Sequence, residues 1–113
     1  MTLLPHSSEL SIDADDATVM DTGDHKITCS IEVDSKPNLF EWHTPTLPSG
    51  ETFLSDPLPA DVDENTVDIV LTITAAQLLE LRAIDKEQSF SCYLDYDRYK
   101  ITESQDITIL TPS

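Results

Sequence analysis

Three observations predict an all-β domain. The runs HKITCSIEV, LFEWHT and QSFSCYLDY each alternate apolar and polar residues, the period of a strand with one buried face. Ile27, Cys29, Ile31 and Val33 share a face in the first run, Phe40 and Trp42 in the second, and Phe90, Cys92 and Leu94 in the third. The only two cysteines and the only tryptophan all fall on the inward phase of their own strands. From the residues alone, two reduced core cysteines beside an unrelated tryptophan satisfy the same phases.

In this order and spacing, Cys29, Trp42 and Cys92 resemble the immunoglobulin superfamily, and the resemblance covers most of the chain, from Leu10 to Leu110. It implies a two-sheet sandwich in which a Cys29–Cys92 disulfide ties strand B to strand F, with Trp42 of strand C packed against it. Such a bond closes a loop of about 64 residues and should contribute on the order of 4 kcal/mol in the chain-entropy model. It also implies an oxidising compartment, hence a secreted or cell-surface protein; a cytosolic protein with reduced thiols is the alternative. A sandwich hosts many functions, so the ligand has to be argued from the site.

Taken in order, residues 1–9 lack periodicity and read as a flexible lead-in or an edge segment, with one domain over 10–113. Leu10 and Ile12 begin strand A, and Ala17 with Val19 resumes the alternation as A′. Asp21 to Asp24 is a turn around Gly23, and strand B follows from His25 to Val33. Asp34 to Asn38 is turn-rich and leads to strand C, Leu39 to His43. Residues 44–65 hold four prolines, which limits them to short edge strands; Glu51 to Leu54 is the candidate C′ or D piece. Thr66 to Thr74 is strand E, with Val67, Ile69, Leu71 and Ile73 inward. The helix formers from Ala75 predict a short helix in the E–F connection, capped by Thr74, with Leu78, Leu81 and Ile84 on one face. Strand F is Ser89 to Tyr96, a tight turn falls at Asp97 and Arg98, and strand G runs from Tyr99 to Leu110.

The chain departs from the family in ways that narrow the type. Phe90 stands two residues before the second cysteine, where the family usually has a tyrosine whose hydroxyl ties the E–F corner. The acid common six residues before that cysteine is displaced to Asp85, and Lys36 to Arg82 encloses no Lys or Arg to pair with it. Strand G has no Gly-x-Gly bulge, since Gly23 and Gly50 are the only glycines. These departures argue against an antibody-type variable domain and for a C-like or intermediate type, as in adhesion molecules and surface receptors.

The formal net charge is −16, from 22 acidic residues against 6 Lys and Arg. That excludes nucleic acid and anionic membrane as partners, because both need a positive surface. It is compatible with a solubility adaptation, a basic partner or bound divalent cations. MTLLPHSSEL lacks the charged start and long apolar core of a signal peptide, so Met1 is read as a start placed ahead of a mature ectodomain segment. No run reaches the roughly 18 apolar residues of a membrane span.

Catalysis finds no support. His6, His25 and His43 are scattered, and no Gly-x-Ser-x-Gly turn occurs. No cofactor is expected. Asp61, Asp63 and Asn65 begin like an EF-hand loop, but Thr66 and Thr72 stand where glycine and glutamate are required. A looser calcium site from Asp61, Asp63 and Glu64, or from Asp13, Asp15 and Asp16, competes with the preferred account, solvated carboxylates on exposed loops. Neither Asn38 nor Asn65 lies in an N-glycosylation triplet.

The strongest interaction feature is Tyr93, Tyr96 and Tyr99 with Arg98, since tyrosine and arginine concentrate binding energy at interfaces. Tyr93 should point outward from strand F, and Glu41 and His43 outward from strand C. The competing reading has these tyrosines fill the end of the sandwich or pair across strands. The expected function is extracellular protein–protein recognition by a receptor or adhesion molecule, through the C–F–G face and F–G loop. The ligand is a protein, bound homophilically or heterophilically. A structural spacer in a longer ectodomain and a calcium-dependent adhesion domain are the alternatives.

Overall fold

The computed structural model describes residues 10–19, 23–32, 36–59, 66–96 and 99–111. The strands are β1 (Ser11–Asp13), β2 (Ala17–Thr18), β3 (His25–Glu32), β4 (Leu39–His43), β5 (Leu54–Ser55), β6 (Thr66–Ile73), β7 (Glu87–Tyr96) and β8 (Tyr99–Leu110), with one helix, α1 (Ala75–Ile84). They form two four-stranded sheets in the orders β1-β3-β6-β5 and β2-β8-β7-β4. This is a two-sheet sandwich with the strand allocation of an immunoglobulin-like fold. All pairings are antiparallel except β2 with β8, which is parallel. The first strand is thus split: β1 joins one sheet and β2 the other.

The core lies between the sheets and follows the alternation. Ile27, Cys29 and Ile31 of β3 and Val67, Ile69, Leu71 and Ile73 of β6 face Phe40 and Trp42 of β4 and Phe90, Cys92 and Leu94 of β7. Burying one such side chain is worth about 1.5–3 kcal/mol, which makes these strands the main source of stability. Cys29 and Cys92 form the inter-sheet disulfide, with Cα atoms 6.5 Å apart. Trp42 is in register with Cys92, and Ile69 with Cys29. The Trp42 indole Nε1–H donates to the Ile69 carbonyl at 3.2 Å, so the tryptophan links the two sheets beside the disulfide.

Two elements differ from the sequence reading. The edge strand begins at Leu54, later than expected, and pairs with β6 in the D position. Its pairing is extended past Ser55 by Asp56, whose N–H donates to the Val70 carbonyl while its carboxylate accepts from the Val70 N–H. In α1 the buried residues are Gln77, Leu78 and Leu81, whereas Ile84 is 54% exposed. Ile84 shares the inner face, but it is the last helical residue and stands one turn beyond the core. Thr74 caps the helix as expected, in a reciprocal capping box with Gln77.

The corner that a family tyrosine would tie is closed by amides and carboxylates. Gln88 is buried and its Nε2 donates to the carbonyls of Leu81 and Asp85, satisfying the C-terminal end of α1. Gln77 Nε2 donates to Glu51 Oε1 and the Thr52 carbonyl, and the Glu80 carboxylate accepts from the N–H and hydroxyl of Ser49. Phe53 meets Phe90 edge to face, with ring centroids 6.0 Å apart. The proline-rich stretch therefore packs against the helix and β7.

Candidate functional site

Strand register builds the outer face of the β4-β7-β8 sheet as three transverse rows: Leu39–Asp95–Lys100, Glu41–Tyr93–Thr102 and His43–Ser91–Ser104. Each row brings together residues distant in sequence, and period 2 sends all of them to the side opposite Phe40, Trp42, Cys92 and Leu94.

Glu41, His43 and Tyr93 converge. The His43 ring stacks on Tyr93 with centroids 5.5 Å apart and planes 19° from parallel. His43 Nε2 donates to Glu41 Oε2 at 2.7 Å, and these side chains are 53% and 46% exposed. The carboxylate thereby fixes the imidazole over the phenol ring. Ser91 and Ser104 share a hydroxyl hydrogen bond of 2.7 Å beside them. Leu39, 38% exposed, adds an apolar edge. Half-buried Asp95 keeps Oδ1 away from solvent with no hydrogen-bond partner.

Tyr96 is set apart from this group. It shares the inward phase of Phe90, Cys92 and Leu94 and packs, half-buried, against the core. Its backbone pairs with that of Tyr99. Arg98 and the expected turn at Asp97 lie outside the described residues, as does the side chain of Tyr99. The alternation that carries Tyr93 outward carries Tyr96 inward three residues later. Sequence reasoning misses Leu39, Ser91, Asp95, Lys100, Thr102 and Ser104 as members of this face. Their outward phase is readable, but their adjacency depends on a long-range register.

The calcium candidates Asp61, Asp63 and Glu64 lie outside the described residues. Of the second acidic set, Asp16 accepts the Thr108 N–H at 2.9 Å through Oδ1, and the Asp15 carbonyl accepts from His25 Nε2. Asp16 thus anchors the start of β2 to β8. Among the described residues, no three His, Cys, Asp or Glu side chains are grouped to hold a metal ion, and no helix is long and apolar enough to cross a membrane.

No protein-family model matches the chain, and no curated protein matches its sequence.

Proposed function

We propose that this is an extracellular protein-recognition domain of a surface receptor or adhesion molecule, a C-like or intermediate-type member of the immunoglobulin superfamily, binding through its β4-β7-β8 face. The membership rests on the Cys29–Cys92 bond, the Trp42 contact beside it and the split first strand with β2 parallel to β8. A disulfide at the centre of the core suits an oxidising compartment.

The observation that carries the functional reading is the His43–Tyr93 stack braced by Glu41. A stacked pair held in one geometry is a pre-ordered anchor, which lowers the entropy cost of binding. The reading is non-enzymatic, since the face offers recognition groups without a nucleophile and base in hydrogen-bonding array. Packing of Tyr96 on the core favours the second reading, a spacer whose aromatic residues serve stability.

A multivalent form of the oxidised domain, presented to a panel of cell-surface ectodomains, separates these readings. Specific capture should be lost in Tyr93→Ala and His43→Ala with the fold intact. Capture that survives both changes, or no capture at all, leaves the spacer.

A further inference from the structure

β8 is an edge strand for most of its 12 residues. β2 pairs only with Ile109 and Leu110, and Asp16 occupies the Thr108 N–H. Among the described residues, nothing pairs with the outer side of β8 between Tyr99 and Ile107. Residues 102–106 are all exposed, including Glu103 and Gln105, which share the inward phase of Ile101 and Ile107.

The direction of each backbone group on this edge follows from the ladder. The register with β7 runs unbroken from Glu87↔Thr108 to Tyr96↔Tyr99. Ile109 N–H points toward β7, donating to the Lys86 carbonyl, while Thr108 N–H and the Leu110 carbonyl point away from it, to Asp16 and Val19. Hydrogen-bonding direction alternates along an antiparallel strand. Lys100, Thr102, Ser104 and Asp106 therefore present N–H and C=O to the open edge. An unpaired edge is a template for another strand.

We propose that this edge pairs with the same edge of a second copy, antiparallel about Glu103. In that register the hydrogen-bonded pairs set Lys100 opposite Asp106 of the second copy and Thr102 opposite its Ser104, each twice by two-fold symmetry. Sliding the register by two residues either way separates Lys100 from Asp106. The charges on the strand thus select one alignment, which is why the occupant is a second copy and not an arbitrary extended segment. Two forces oppose the contact: the two Glu103 side chains meet at its centre, and each copy carries a net charge of −16. Salt screens the second beyond about 8 Å at physiological ionic strength. This dimer uses the backbone edge of β8 and does not depend on the His43–Tyr93 anchor.

Sedimentation equilibrium of the oxidised domain at physiological salt, over a wide concentration range, tests it. A reversible dimer is expected. Lys100→Asp and Asp106→Lys should each weaken it by about tenfold, because two attractive cross-strand pairs become repulsive. The double exchange, which keeps the net charge of the original chain, should restore it. Thr102→Pro should abolish the dimer while leaving the fold, because that N–H has no partner within the sheet. Glu103→Gln should tighten the dimer, and Tyr93→Ala should leave it unchanged. A monomer at every concentration, a dimer indifferent to Lys100→Asp and Thr102→Pro, or failure of the double exchange to rescue overturns the proposal. Loss of the dimer in Tyr93→Ala alone would move the contact to the β4-β7-β8 face and overturn it as well.

Discussion

The middle of the sandwich and its α1 corner are held by opposite means. In the middle, a disulfide and one indole hydrogen bond sit among fully apolar side chains. At the corner α1 buries the apolar side chains of Leu78 and Leu81 alone among its described residues, and the joints are made by Gln77, Glu80 and Gln88. The middle is specified by side-chain phase on neighbouring strands. At the corner Gln77 and Glu80 find partners 25, 26 and 31 residues away, while Gln88 reaches back 3 and 7. A sandwich centre can be built from a pattern, whereas the closure of its end has to be built from particular pairs.

This contrast can be broken most strongly at the disulfide. Cys29→Ala with Cys92→Ala should lower stability by about 4 kcal/mol, read as a lower urea midpoint of unfolding. An unchanged midpoint would remove the disulfide as the central pin. Trp42→Phe keeps an aromatic ring but deletes the donor to Ile69, at an expected cost of about 1–3 kcal/mol in the same assay. If the tryptophan matters only for its volume, the loss will fall below that range.

The corner should answer with smaller effects. Gln88→Ala removes the side-chain donor to the Asp85 carbonyl and one of two donors to the Leu81 carbonyl, which keeps the Asp85 N–H, for about 1–3 kcal/mol. Thr74→Ala removes the cap, for about 1 kcal/mol. Glu80→Ala frees Ser49 at an exposed joint and should cost less than about 1 kcal/mol. Hydrogen exchange sharpens the comparison: the corner variants should speed exchange in α1 while leaving β3 and β6 protected. Equal acceleration in both regions would show one cooperative unit in place of two.

The same contrast explains how much of the molecule is legible in its amino-acid order. Strand C, strand G and the helix start are legible because their periodicity or capping residues are local. The edge strand at Leu54 escapes its expected place because the pairing of Asp56 with Val70, and no pattern of its own, fixes it. The burial of Gln77 is hidden for a like reason: an amide on a helix gives no apolar signal, and its acceptors lie in the proline-rich stretch. On the outer face of the β4-β7-β8 sheet, outward phase announces Glu41, His43 and Tyr93 individually. Their meeting requires the alignment of β4 with β7. Tyr96, which matches Tyr93 in residue type, belongs by its phase to the core.

The division of the first strand between two sheets has a mechanical consequence. β2 runs parallel to β8, so tension entering before β1 and leaving after β8 drags the two strands past each other along their length. Their hydrogen bonds, with the Val19–Leu110 and Asp16–Thr108 contacts, then resist together in shear instead of opening one at a time. Stretching single molecules from residues 10 and 111 should show a force peak that Asp16→Ala lowers.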